Sequence, residues 1–132
     1  MQTTGRSSKT ELRVRWGETD AAGIVFYPNY YAWFDVATHE LLRGGPQHKG
    51  FGLPIVESGA TFRAPLFPDD LFVVETTVAE VRSKAIRLEH TIRRGETLIA
   101  TGFEARVYVK ILGHGIETTP IPDDLRAWLQ QA

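Results

Sequence analysis

The sequence predicts an α+β layer fold, an antiparallel β-sheet wrapped around one long central α-helix, and three observations carry that prediction. Only one long stretch shows a sustained helical period of apolar residues, the periodic segments after it mostly repeat every second residue, and one strand pattern precedes it. Leu12, Val14 and Trp16 alternate with Arg13 and Arg15, as in a half-buried strand that stops at Gly17. After a loop, Tyr30, Trp33, Phe34, Ala37 and Leu41 recur on one helical face. Pro28 suits the first helical position, where it has no amide hydrogen to lose, and Gly44-Gly45-Pro46 supplies a stop about four turns on. Ile55 to Ala64 reads as a strand, Pro65 to Asp70 as a connection, and Leu71 to Val81 as a strand rich in Val, Thr and Phe. Ile86, Leu88, His90 and Ile92 alternate with Arg87, Glu89, Thr91 and Arg93, which gives one apolar and one wet face. Arg94-Gly95-Glu96 turns into a last long strand, with Ile99, Phe103, Ala105, Val107, Val109 and Ile111 expected on one side and Glu104, Arg106 and Lys110 on the other. Gly113-His114-Gly115 turns the chain again, and the segment after Pro122 reads as a short helix ending with Trp128 and Leu129.

A chain of 132 residues holds one domain, here expected over residues 10–132 after a flexible N-terminal tail at 1–9. At this size an exposed apolar face favours association with further copies of the chain. The 15 basic and 16 acidic residues nearly cancel, so there is no global field of the kind a nucleic-acid or membrane-surface binder carries. The absence of cysteine removes disulfides, thiolate nucleophiles and thiolate metal sites together. His39, His48, His90 and His114 show no metal-ligand spacing, and no metal is expected. The opening MQTTGRSSKT has no apolar signal core, and no apolar run is long enough to cross a bilayer, so the expected location is the cytoplasm. Neither a G-x-S-x-G elbow nor a phosphate-binding glycine loop occurs.

The segment with chemical content is WGETDAAGIVFYPNYYAWFD, Trp16 to Asp35. Ile24, Val25, Phe26 and Tyr27 make the loop before the helix unusually apolar, which suggests an interface or pocket. A carboxylate there, close to a helix N-terminus, combines a base or nucleophile with free backbone N–H groups that polarise a carbonyl, and acyl transfer needs both.

The run Gly17-Glu18-Thr19-Asp20-Ala21-Ala22-Gly23-Ile24-Val25-Phe26-Tyr27-Pro28-Asn29-Tyr30, followed by Trp33 and Asp35, resembles the start of the 4-hydroxybenzoyl-CoA thioesterases of the hotdog-fold superfamily. In weaker form the resemblance runs from about Leu12 to Leu129. It implies a hotdog domain that hydrolyses an acyl-CoA thioester, first of all 4-hydroxybenzoyl-CoA, to the free acid and coenzyme A. No cofactor is implied, because coenzyme A is part of the substrate, and the implied assembly is a homo-oligomer, a tetramer built as a dimer of dimers. By the same resemblance Asp20 attacks the thioester carbonyl or activates water against it, and the Tyr27 backbone amide holds the carbonyl oxygen. Tyr30 and Asp35 match positions associated with the ring 4-hydroxyl, and Arg82 and Lys84 match basic residues that bind coenzyme A, with Ser83 replacing a third basic residue.

Plainer roles stand beside each of these. Asp20 suits a turn cap, Tyr30 a core stripe, Asp35 a surface ion pair with a lysine, and Arg82 and Lys84 a solvated hairpin end. Glu18 reads as an exposed loop carboxylate, and Glu40 on the helix is the rival acid, too far from the first turn to share its N–H donors. A broad short-chain acyl-CoA thioesterase and a non-catalytic acyl-CoA or acyl-carrier binding module remain alternatives.

Overall fold

The structure, a computed structural model, describes residues 5–132. Its elements are β1 (Ser7–Arg13), a 3-10 turn at Trp16–Glu18, α1 (Pro28–Leu42), β2 (Phe51–Gly52), β3 (Ile55–Phe62), β4 (Leu71–Val81), β5 (Ala85–Arg94), β6 (Thr97–Val107), β7 (Val109–Leu112), β8 (Gly115–Thr118) and α2 (Asp123–Gln130). Five strands form an antiparallel sheet in the order β1-β4-β5-β6-β3, and β2-β7-β8 form a small second sheet. The helix stripe predicted from spacing is the buried one: Tyr30, Trp33, Phe34, Ala37 and Leu41 all lie in the core. No helix among the described residues is long and apolar enough to cross a membrane.

Phe34 shows why the helix lies so close to the sheet. A Cβ on Gly102 of β6 would collide with the Phe34 ring, so the missing side chain is what lets the ring rest on the strand. The same ring stacks on His90 of β5, with centroids 4.6 Å apart.

Three expectations are corrected. The tail is shorter than residues 1–9, because β1 starts at Ser7 and pairs with β4 from Ser7 opposite Thr77 onward. Ahead of it Gly5 N donates to Val78 O at 2.8 Å, and the Arg6 guanidinium lies 3.7 Å over the Trp128 ring. Backbone pairing fixes this polar segment, and composition does not report that; the rest of the expected tail lies outside the described residues. Trp16 is not the third inward residue of a strand but is 72% exposed in the 3-10 turn.

The third correction matters most for function. The face assignment of the last long strand is inverted over 102–107: Glu104 and Arg106 point inward, 1% and 4% exposed, while Phe103, Ala105 and Val107 lie on the outer face. Cross-strand register is the cause. Leu88 opposes Glu104 and Ile86 opposes Arg106, and directly opposed residues share a face, so burying the first pair buries the second. That strand also breaks at Tyr108, so Val109 to Leu112 leave the main sheet and join the small one.

Candidate active site

The loop before α1 is folded by its own polar groups. Asp20 N donates to Ile24 O at 2.8 Å and Gly23 N to Asp20 O at 2.9 Å, with Gly23 at φ +82°, a conformation that favours glycine. Asp20 Oδ1 closes the turn by accepting from Ala22 N at 2.9 Å. Asp20 is thus a turn cap through one oxygen. Among the described residues nothing donates to its other oxygen, Oδ2, and the residue is exposed.

Glu18 ties this loop to the helix. Its Oε1 accepts from Arg15 N at 2.7 Å, its Oε2 from the Trp33 indole at 3.2 Å, and its carbonyl from Phe26 N and Asn29 Nδ2, both at 2.8 Å. With its side chain 13% exposed, it is a clamp and not the exposed loop carboxylate expected from sequence. Pairing of Thr19 with Val25 then brings Asp20 to the same end of α1 as Tyr27.

At that end the helix has one spare donor. Pro28 has no N–H, and Asn29 N and Tyr30 N donate to Phe26 O and Tyr27 O at 3.0 and 3.1 Å. The Tyr27 N–H donates to no group among the described residues. A free amide on the first turn, backed by the aligned peptide dipoles, is suited to hold a developing oxyanion. Phe26 and Tyr27 are 51% and 59% exposed in the single chain, and the Tyr27 ring packs edge-on against Phe62 at the end of β3, 6.4 Å between centroids.

The other predicted residues lie elsewhere. Tyr30 is buried against Trp33 and Phe62, with centroids 5.2 and 5.0 Å away. Burial raises its phenol above the ordinary value, and the Leu66 backbone and the Arg94 charge only partly offset that. Asp35 lies one and a half turns further on, where its Oδ1 accepts from Arg106 Nη2 at 2.7 Å and stands 3.5 Å from His39 Nδ1. Within one chain, then, Tyr30 and Asp35 do not share surroundings, and Asp35 pairs with a buried arginine and not a surface lysine.

Arg106 belongs to a polar cluster that sequence reading missed. Its Nε and Nη2 bond Glu104 Oε1 and Oε2 at 3.1 and 3.2 Å, and its Nη1 bonds Leu53 O at 2.9 Å. Glu104 Oε1 also accepts from the Thr38 hydroxyl at 2.6 Å and stands 3.5 Å from His90 Nε2, while His90 Nδ1 meets the Thr76 hydroxyl at 2.8 Å. Burial works against the Glu104 charge, yet the bonds from His90, Arg106 and Thr38 and the Arg106 charge prevail and hold its carboxyl at about 2. The missed signal was His90 on an apolar face: a buried imidazole needs polar neighbours, and register would have located them on β6. A cavity of about 270 Å³ opens beside Arg106, lined also by His39, His48, Phe51, Leu53 and Tyr108.

Arg82 and Lys84 occupy the β4–β5 hairpin. Arg82 is exposed and pairs with Glu80 at 2.9 Å, and the Arg82 and Ser83 carbonyls are held by Arg126 of α2 at 2.8 and 3.1 Å. Glu40 pairs with Arg43. No group of three or more metal-ligating side chains occurs among the described residues.

Residues 14–129 match the family model described as the thioesterase-like superfamily. A solved gentisyl-coenzyme A thioesterase is 40% identical, covers 90% of this chain and 99% of its own, and superposes with a TM-score of 0.82. The 4-hydroxybenzoyl-CoA thioesterase of Pseudomonas sp. strain CBS-3 is 30% identical over 90% of this chain and 94% of its own. A variant 4-hydroxybenzoyl-CoA thioesterase in complex with 4-hydroxybenzoyl-CoA superposes with a TM-score of 0.86 at 28% identity, over 95% of this chain and 99% of that one. These likenesses bear out the hotdog fold expected from the sequence.

Proposed function

This chain belongs to the thioesterase-like superfamily and is a thioester hydrolase, and on that premise we propose that it cleaves hydroxylated aryl-CoA thioesters, 4-hydroxybenzoyl-CoA first among them. One observation carries the chemistry: an Asp20 oxygen and the Tyr27 N–H, both without a partner among the described residues, stand at the same end of α1. In this reading the Tyr27 amide polarises the thioester C=O, and Asp20 either adds to the carbon or directs water to it. The C–S bond breaks, coenzyme A leaves as a thiolate, and water supplies the oxygen of the product acid. The gentisyl thioesterase favours a second reading within the class, a dihydroxylated ring.

We further propose that the working site is shared by two copies. Along β3, the Phe62 end carries Tyr27, while Ile55 at the other end opposes Arg106 and hence lies near Asp35. The outer edge of β3 pairs with no strand among the described residues, and Ile55, Val56 and Phe62 on it are 42%, 61% and 44% exposed. Antiparallel pairing of two such edges about a two-fold axis near Ser58 and Gly59 sets the Tyr27 end of one chain against the Asp35 end of the other. The acyl carbon then meets Asp20 and Tyr27 of one copy, and the ring hydroxyl meets Asp35 of its partner. Tyr30 backs the ring pocket through the core, Arg82 and Lys84 face the phosphates of coenzyme A, and two such dimers make the tetramer.

The test is release of free thiol, followed with a disulfide dye, from benzoyl, 4-hydroxybenzoyl, gentisyl, short acyl and long acyl thioesters of coenzyme A. The expected order places the hydroxylated aryl substrates first. Faster release from fatty acyl thioesters overturns the substrate class, and release from none points to a binding module.

A further inference from the structure

Asp35 is held in a way that its surface position does not require. The Arg106 guanidinium is already neutralised by Glu104, which it grips through two nitrogens, so the pair needs no second carboxylate to balance its charge. Asp35 nevertheless receives the 2.7 Å bond from Arg106 Nη2 on Oδ1, and no group among the described residues donates to its Oδ2. The side chain is 47% exposed, while the arginine beneath it is 5% exposed. One oxygen is therefore fixed from below and the other is open to a ligand. The three charges Asp35, Arg106 and Glu104 sum to minus one, which suits a neutral hydrogen-bond donor on the ligand and disfavours an anionic substituent.

The bracket itself is rigid. Arg106 stands on β6, Glu104 two residues before it, Thr38 on α1 reaches Glu104 at 2.6 Å, and Arg106 Nη1 ties in the Leu53 carbonyl just ahead of β3. Helix, sheet and the approach to the free edge strand are thus locked together at the point where Asp35 leaves the helix. We infer that Arg106, braced by Glu104, is the positioning residue that orients Asp35 to accept the hydroxyl of an aryl substrate. This rests on the proposal that Asp35 receives that hydroxyl. A lysine cannot replace Arg106 here, because a point charge lacks the planar fork that reaches Glu104, Leu53 and Asp35 at once.

The experiment compares kcat and KM for 4-hydroxybenzoyl-CoA and benzoyl-CoA in the unaltered protein, in Asp35→Asn, in Arg106→Lys, and in the double variant Glu104→Gln/Arg106→Met. The double variant removes both buried charges and keeps an amide oxygen for Thr38, an exchange that buried ion pairs often tolerate. The preference for the hydroxylated substrate, taken as the ratio of the two kcat/KM values, is expected to fall about tenfold or more in Asp35→Asn and in both Arg106 variants, chiefly through KM. Combining Asp35→Asn with Arg106→Lys should lower the ratio no further than Asp35→Asn alone. If Asp35→Asn lowers the ratio and the Arg106 variants do not, the role of Arg106 is overturned and the hydroxyl reading survives. If Asp35→Asn itself leaves the ratio unchanged, the hydroxyl reading fails and the inference goes with it. Equal losses on both substrates, or failure of both Arg106 variants to fold, mark Arg106 as purely structural and overturn the inference.

Discussion

At the β6 side of α1 the hydroxyls, imidazole, carboxylate and guanidinium of Thr38, Thr76, His90, Glu104 and Arg106 find partners inside the chain, whereas at its N-terminal end Asp20 Oδ2 and the Tyr27 N–H find none among the described residues. The first region is closed, its five side chains all buried; in the second Trp16, Phe26 and Tyr27 each expose more than half of their surface. The contrast separates two uses of polar groups in one small domain. A satisfied cluster ties helix to sheet, and an unsatisfied pair keeps the bonding capacity that the proposed reaction would spend on a carbonyl. Substitutions should divide accordingly: those in the closed region act first on stability, with Arg106 also reaching substrate preference through Asp35, and those in the open region act on turnover.

The largest expected effect is in the open region. Asp20→Asn should lower kcat by about 10³-fold, within the range of a lost base or nucleophile, and leave the thermal midpoint within a few degrees. A large drop in midpoint would mean that the turn cap at Ala22 is its main role and would break the contrast. In the closed region Arg106→Ala leaves the Glu104 charge buried without its guanidinium, held by Thr38 and His90 alone, and should cost about 3–5 kcal/mol in chemical denaturation. The same cluster sets an acid limit. Because the Glu104 carboxyl is held at about 2 against an ordinary 4.5, its stabilisation is complete above about pH 4.5 and fades as the pH falls toward 2. The drop over that window should reach up to about 3 kcal/mol, and Glu104→Gln should flatten it. Glu18→Gln links the regions: it weakens the clamp on Trp33 and should lower kcat by about tenfold for less than about 1 kcal/mol of stability. The smallest effect belongs to the hairpin, where Arg82→Gln/Lys84→Gln should raise KM a few-fold at low salt and less at high salt, since Arg82 already shares its charge with Glu80.

The two regions were also unequally legible in the sequence. The α1 stripe, the Pro28 start, the Leu71–Val81 strand and the β5–β6 hairpin follow from local period and turn chemistry, and the structure has them there. The open candidate site could be read as a motif, because its residues are contiguous from Glu18 to Tyr27. The closed cluster was not, since it joins residues 38, 76, 90, 104 and 106, and only strand register decides which face of β6 is inside. Alternation on β6 was ambiguous by itself: Phe103, Ala105 and Val107 form as good an apolar row as any core face, and Arg87 lies 4.2 Å over the Phe103 ring to cover it from outside. The Glu18 clamp had no local signal either, because its partner Trp33 is fifteen residues away on another element.

Sharing of one site between two copies is tested most directly by complementation. Asp20→Asn and Asp35→Ala chains, each nearly inactive on 4-hydroxybenzoyl-CoA at low substrate, are unfolded, mixed in equal amounts and refolded together. If Asp20 of one copy works with Asp35 of the other, half of the dimers are mixed, each holds one undamaged site of two, and roughly a quarter of the wild-type activity returns. If each site is built within a single chain, every site in the mixture keeps a defect, and the activity stays at the mean of the two variants.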